Sequence, residues 1–283
     1  MIATSGATYN NLTVRGGGGG SGGTYAGGSG GSNGGGGGDA LLNGQGYDFT
    51  VTGNVGVIGG NGGNSLGGAG GAASITNVNK LNIGGTLAVT SGEAGSASGG
   101  AAGAAILTAG TLVAPTINLT KNSGAQTFTV GTLAIESGNT LSLAGNPTVN
   151  ISAYDFDLTG TGNGSTILAV SGGSLSVVSL NSARIKLTGI PGGLAIGDTI
   201  TLISNVSGTI TPFQTTIGGY TFDIKVVNGA LVAVAAIPIA LPQSPLPKMG
   251  DAFPLWQLLA VMGVAMVGMG WLGYRMRTRK SKA

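Results

Sequence analysis

Short segments in which apolar and polar residues alternate recur along the chain. The segment GTLAVTSG at 85–92 returns almost unchanged as GTLAIESG at 131–138, and the shorter versions GTLVA and GSLSV begin at Gly110 and Gly173. The four starts are separated by 25, 21 and 42 residues. A repeat of this length with one strand per step is typical of a solenoid, in which successive turns pair in parallel. The pattern predicts an all-β parallel β-solenoid, with a series of antiparallel hairpins as the alternative.

Three glycine-rich tracts separate the early strands. Residues 16–38 are mostly glycine, and residues 59–71 and 91–103 have a related composition. Such tracts have almost no side chains to bury, and ordering them costs more backbone entropy than ordering any other residue type. We therefore expect them to form mobile or polyglycine-like loops on the solenoid.

The glycine content falls after residue 164, where a different β pattern begins. YTFDIKVVNGALVAVAA at 220–236 predicts a hairpin, because Asn228-Gly229 suits a type I′ turn between alternating strands. This region suits a β-rich cap over the end of the solenoid. The sequence predicts six segments: a Gly-rich segment with the first strand at 1–46, solenoid coils at 47–164, the cap at 165–237, a Pro-rich stalk at 238–254, a transmembrane helix at 255–274 and a basic cytoplasmic tail at 275–283.

A long uncharged segment lies near the C-terminus. Residues 255–274 contain no ionisable acid or base, and as a helix they extend about 30 Å, the thickness of a bilayer core. The positive-inside rule places the basic tail in the cytoplasm and the body outside. The predicted membrane-interface residues are Trp256, Trp271, Tyr274, Arg275, Arg277, Arg279 and Lys280.

Composition and charge restrict the chemistry of the body. The chain has no cysteine, which excludes disulfides, zinc clusters and thiol catalysis, and no histidine, the commonest general base near neutral pH. Before Lys248 there are six basic and eight acidic residues, so the net charge there is −2 and the basic character belongs to the tail. A nucleic-acid binder needs basic residues on a folded face, so we predict no nucleic-acid partner.

The segment before the apolar run is LPKMG, formed by Leu246, Pro247, Lys248, Met249 and Gly250. A short proline-containing motif, an apolar span and a basic tail, in this order, resemble the sorting signal of LPxTG cell-wall-anchored bacterial surface proteins. The resemblance implies that a sortase-like transpeptidase cleaves before the glycine and joins the body to the envelope. Met249 departs from the family's threonine; without cleavage, the span would remain a membrane anchor with the same topology.

The strand pattern of the body supplies a second resemblance. GDTITLIS at 197–204, followed by GGYTFDIKVVNGALVAV at 218–234, resembles the end of passenger domains in autotransporter and filamentous-haemagglutinin-like adhesins. That resemblance implies a β-solenoid fold and a role in surface attachment. The first residues, MIATSGATYNNLTV, lack the basic and apolar regions of a secretory signal peptide, so we expect the sequence to open partway through a larger surface protein.

Two nonapeptides, GGGGGDALL at 34–42 and NGQGYDFTV at 43–51, are candidates for a calcium site. The first matches the calcium-binding repeat GGxGxDxUx, and the second departs from it at Thr50. The prediction requires Asp39 and Asp48 on adjacent turns, with glycine carbonyls completing an oxygen cage. No other cofactor is predicted.

A close acidic pair, Asp155 and Asp157, is the remaining candidate for chemistry. The two side chains alternate to the same side of a strand, as clustered carboxylates do in solenoid polysaccharide lyases and hydrolases. We identify no basic partner from the sequence and predict a solvated strand face rather than an active site.

The predicted function is that of a bacterial cell-surface adhesin or fibrous envelope protein, not an enzyme. The predicted partners are the membrane, a sortase-like transpeptidase and a surface ligand, either a glycan or a protein. Two alternatives remain: the remnant of a surface carbohydrate-active enzyme that lacks its catalytic module, and a structural surface-layer component.

Overall fold

The computed structural model describes residues 8–20, 34–63, 67–96, 100–120, 124–145 and 147–236. Within these ranges the chain forms β-strands, turns and extended segments and no helix. Accordingly, this described part offers no apolar helix with the length that crossing a membrane requires. The predicted span at 255–274 lies outside these residues.

The strands are mostly short, four to six residues, with four longer ones. In chain order they are β1 (Thr8–Tyr9), β2 (Leu12–Arg15), β3 (Ala40–Asn43), β4 (Asp48–Val51), β5 (Val55–Ile58), β6 (Ala73–Ile83), β7 (Thr86–Thr90), β8 (Ala105–Val113), β9 (Thr116–Thr120) and β10 (Gln126–Ile135). The remaining strands are β11 (Asn139–Ala144), β12 (Thr148–Asp157), β13 (Thr166–Ser171), β14 (Leu175–Ser176), β15 (Ile185–Thr188), β16 (Thr199–Ile203), β17 (Val206–Ser207), β18 (Phe213–Ile217), β19 (Tyr220–Val227) and β20 (Ala230–Ala235).

Two large sheets contain nearly all of these strands. Sheet 1 has the order β1-β4-β6-β8-β10-β12-β15, with β3 also paired to β6, and its pairs are parallel. Sheet 2 has the order β18-β19-β20-β16-β13-β11-β9-β7-β5-β2 and is parallel from β2 to β16. Between β2 and β16 the chain alternates between the sheets. The predicted all-β class with parallel sheets is confirmed, and the arrangement is compatible with a β-solenoid.

The length of a coil, meaning the stretch from one strand of a sheet to the next strand of the same sheet, depends on the glycine tracts. Ala73 pairs with Ala105, a step of 32 residues that includes a glycine tract. Thr111 pairs with Thr132, a step of 21 residues without one. The similar segments at 85–92 and 131–138 therefore lie on different sheets, β7 in sheet 2 and β10 in sheet 1. Only the step from Gly110 to Gly131 in the predicted repeat is a true coil.

The two sheets share one hydrophobic core. Alternate residues of each strand are buried, as the pattern iBiBi of β7 and β9 shows, where B is buried and i half-buried. The largest fully buried side chains are Phe49, Phe128, Phe156 and Phe222, which belong to four different strands. Leu, Ile, Val and Ala supply the rest of the core, so burial depends on many small contacts between stacked strands.

The end of sheet 2 changes from parallel to antiparallel pairing. Strands β16, β20, β19 and β18 pair antiparallel. The predicted hairpin is confirmed: Val227 pairs with Ala230, and Asn228 and Gly229 have φ values of 49° and 73°, as a type I′ turn requires. Parallel pairing reaches β15 and β16, so it continues beyond the predicted cap boundary at residue 165.

Candidate functional site

The predicted sorting and membrane-interface residues lie outside the described residues. They are Leu246, Pro247, Lys248, Met249, Gly250, Trp256, Trp271, Tyr274, Arg275, Arg277, Arg279 and Lys280. Their roles stay predictions.

The structure does not bring the two candidate calcium ligands together. Asp39 accepts a hydrogen bond of 2.7 Å from the Ala72 N–H, and Asp48 accepts one of 2.6 Å from the Asn79 side-chain amide. Asp48 pairs with Lys80, so the two aspartates contact the same chain segment eight residues apart. At about 3.3 Å per residue this is roughly 25 Å along the strand path. They do not lie on adjacent turns, as the calcium prediction required, and no described cluster of three or more acidic residues is placed to hold a metal.

The acidic pair has a basic partner that the sequence analysis missed. Asp155 on β12 pairs in register with Lys186 on β15, and their side chains form an ion pair of 2.8 Å. Asp155 also accepts a hydrogen bond of 3.2 Å from the Thr188 hydroxyl. The Lys186 side chain is 68% exposed, so solvent screens this pair.

Asp157 makes a different set of contacts. Its carboxylate accepts a hydrogen bond of 2.8 Å from the Thr159 N–H. The Thr159 hydroxyl first, and this backbone bond second, hold the pKa of the Asp157 carboxyl below its usual value. Because Asp155 is paired to Lys186 and Asp157 caps a turn, both carboxylates are occupied by structural contacts.

The glycine tracts form an ordered array of extended segments, which we call the glycine arms. Arms 16–20, 59–63 and 91–95 follow strands of sheet 2, and arms 34–38, 67–71 and 100–103 precede strands of sheet 1. Backbone N–H to O=C bonds of 2.7–3.0 Å join the arms: Gly19 to Asn61, Gly60 to Gly38, Gly63 to Gly35, Gly62 to Glu93, Gly71 to Gly60, Gly37 to Ala69, Gly92 to Gly71, Gly95 to Gly68, Gly70 to Ala101 and Gly103 to Gly92. The polyglycine-like form that we expected is the one observed.

Bonds to a given neighbour recur every third residue along an arm. Gly60 and Gly63 both donate to the arm 34–38, whereas Gly59 and Gly62 donate towards the segment 90–93. Three residues per turn without internal hydrogen bonds is the geometry of a polyproline-II helix. Neighbouring arms therefore satisfy one another's backbone groups, which replaces the missing side-chain burial as the source of order.

Close packing of the arms requires glycine at the positions that face another arm. A Cβ on Gly60 would overlap the carbonyl oxygen of Gly17, and a Cβ on Gly92 would overlap that of Gly60. Gly18, which faces outward, has no described atom within 4 Å of the place a Cβ would take. Side chains appear at the outward positions, such as the exposed Asn61 and Glu93. The signal in the sequence is the triplet Gly-Gly-X, as in GGNGGN at 59–64 and GGAGGA at 67–72.

The outer side of sheet 2 carries a regular set of small polar side chains, which we call the threonine face. Three neighbouring strands contribute three outward residues each: Thr86, Ala88 and Thr90 from β7, Thr116, Asn118 and Thr120 from β9, and Thr140, Ser142 and Ala144 from β11. All nine are half-buried or exposed, and they alternate with buried leucine, isoleucine and valine. The face contains no ionisable group and no side chain longer than asparagine.

The remaining concave surfaces of the described residues are shallow. One groove of about 320 Å³ runs beside the glycine arms and includes Arg15, Ile58 and Asn61. Another of similar volume lies over β18 and β19 and includes Gln214, Asp223 and Lys225, with a hydrogen bond of 2.7 Å from Gln214 to Asp223. Neither groove contains a nucleophile paired with a base. No protein-family model, no curated protein and no solved structure matches the chain.

Proposed function

We propose that this chain is a bacterial cell-surface adhesin or fibrous envelope protein with a β-solenoid body. The observation that carries the proposal is the continuous stacking of parallel strands in two sheets, extended on one side by the hydrogen-bonded glycine arms. At about 4.8 Å per strand, the ten strands of sheet 2 extend about 43 Å. A stack of this kind presents broad surfaces and needs no catalytic cleft.

The proposed attachment uses the C-terminal segments. Residues 255–274 would span the membrane as a helix, with residues 275–283 in the cytoplasm and the body outside. The Pro-rich stalk at 238–254 would hold the body away from the bilayer. The resemblance of LPKMG to the LPxTG signal supports processing by a sortase-like transpeptidase, and without processing the same span anchors the chain.

The proposal assigns no catalytic step to the body. Asp155 and Asp157, the close acidic pair, are occupied by Lys186 and Thr159, and the sequence contains no histidine to serve as a general base. Its partner would be a glycan or protein on another surface, bound through loops and outer strand faces.

Comparison of cells that carry the chain with cells that lack it tests the proposal. We expect that cells displaying the full chain adhere to immobilised glycans or proteins, and that the purified full chain competes for this adhesion. Equal adhesion by both strains, with no change in envelope integrity or surface-layer structure, would contradict both the adhesin and the fibrous-envelope role.

Attachment is tested separately by mass spectrometry of envelope fractions. A new C-terminus at Met249 would support sortase processing. An intact tail in every membrane fraction would refute processing and leave the membrane anchor, whereas recovery of the full chain from the soluble fraction would refute the anchor as well.

A further inference from the structure

The threonine face forms a lattice with two fixed spacings. Thr86, Thr116 and Thr140 are partners in adjacent parallel strands, so they repeat at the strand spacing of about 4.8 Å. Within a strand, Thr116, Asn118 and Thr120 repeat every second residue, at about 6.6 Å. The backbone ladder fixes both distances, because a register shift would turn buried residues outward.

The side chains on this lattice are short and stiff. Threonine is branched at Cβ and strongly restricted at χ1, so its hydroxyl and methyl groups keep a defined direction. The Thr140 and Thr116 hydroxyls lie 3.4 Å apart, which places them in one ladder. Ala88, Ser142 and Ala144 leave no side chain that projects above the threonines.

Water next to such a face is held in a repeating pattern. Each hydroxyl offers a donor and acceptors to water, and the methyl groups between them restrict the orientation of the neighbouring water molecules. The two repeats are close to the oxygen repeats of hexagonal ice, so the ordered water over the face can join an ice crystal without a change in spacing. Charged groups, which would organise water around themselves instead, are absent from the nine positions.

We propose that the threonine face of β7, β9 and β11 is an ice-binding surface. Its ligand is the surface of crystalline ice, and its contact atoms are the threonine, serine and asparagine polar groups with the methyl groups between them. The inference does not rest on the adhesin proposal, although a membrane-anchored chain with this face would hold a cell against ice.

The outer face of sheet 1 lacks the same regularity. Its rows include the charged residues Lys80, Asp155 and Lys186 and the larger apolar Ile106. The register between β6 and β8 shifts at Ile75, which interrupts the rows along the strands. This face therefore provides a matched control within the same molecule.

The test is ice-affinity partitioning of the full chain in lipid nanodiscs, which measures the fraction of protein incorporated into slowly growing ice. The variants are Thr116→Lys at the centre of the threonine face and Thr129→Lys on the outer face of sheet 1, at a half-buried position of β10. Asn118→Lys repeats the first perturbation at a neighbouring position. Circular dichroism melting establishes that each variant has the wild-type fold.

We expect incorporation of wild type and Thr129→Lys, and loss of incorporation to the level of empty nanodiscs for Thr116→Lys and Asn118→Lys. Exclusion of the wild-type chain from ice would overturn the proposal, as would equal incorporation of all variants. Binding of the wild type to cellulose or chitin particles but not to ice would show that the face recognises a polysaccharide instead, which also overturns it.

Discussion

Replacing Gly60 with alanine tests whether the glycine arms form a packed lattice. Gly60 is buried, its N–H donates 3.0 Å to the Gly38 carbonyl, and its own carbonyl accepts 2.7 Å from the Gly71 N–H. An alanine Cβ would overlap the Gly17 carbonyl oxygen, which is backbone and has no rotamer with which to move away. The arm must therefore shift.

The magnitude follows from three contributions. Overpacking costs about 1–3 kcal/mol, and each of the two weakened backbone hydrogen bonds costs about 1 kcal/mol. Replacing glycine stabilises by about 0.4–1 kcal/mol through the unfolded chain. We expect Gly60→Ala to destabilise the array by about 2–4 kcal/mol. Gly18→Ala is the matched control, because the outward position of Gly18 is open and only the stabilising contribution applies.

Hydrogen exchange measured by mass spectrometry provides the assay, because stacked repeats can open locally without global unfolding. In Gly60→Ala, peptides covering 59–71 should lose protection while peptides covering β10 keep it. Gly18→Ala should leave both unchanged. Wild-type protection in Gly60→Ala, or equal losses in the two variants, would refute the lattice.

Three further substitutions test the core and the charged contacts. Phe128→Ala should lower the free energy of unfolding in urea by about 3–5 kcal/mol, because the Phe128 ring is fully buried; a loss below 1 kcal/mol would contradict this packing. Lys186→Ala should cost about 0.2–1 kcal/mol at low salt and less at high salt, since its pair with Asp155 is exposed. The folded pKa of Asp157 is depressed, so its contribution is present at neutral pH and is lost as the pH falls through that pKa. Urea melts should therefore show Asp157→Asn less stable than wild type at pH 7 and equal to it in strong acid; a constant difference would refute the assignment.

The strands and the hairpin could be predicted from local pattern. Alternation of apolar and polar residues identified segments such as β7 and β10, and Asn228-Gly229 identified the turn, because both signals depend on neighbouring residues only. The repeat frame could not be predicted in the same way. Coil length varies between 21 and 32 residues with the presence of a glycine tract, so identical-looking strands lie on different sheets.

The contacts that decide the candidate sites depend on register between coils. Lys186 is 31 residues from Asp155, and only the pairing of β12 with β15 brings the two together. The same pairing rules separate Asp39 from Asp48, which local spacing had suggested as a shared calcium site. The glycine lattice did leave a local signal, the triplet Gly-Gly-X, whose period of three differs from the periods of helices and strands.

The most direct test of the central claim, a body displayed outside an anchoring span, is single-cysteine labelling in intact cells. The chain contains no cysteine, so Ser182→Cys at an exposed position of the body and Ser281→Cys in the tail each introduce one reactive thiol. With a membrane-impermeant maleimide, the account predicts labelling of Ser182→Cys in intact cells and of Ser281→Cys only after lysis. Protection of Ser182→Cys until lysis, or labelling of Ser281→Cys in intact cells, would contradict it.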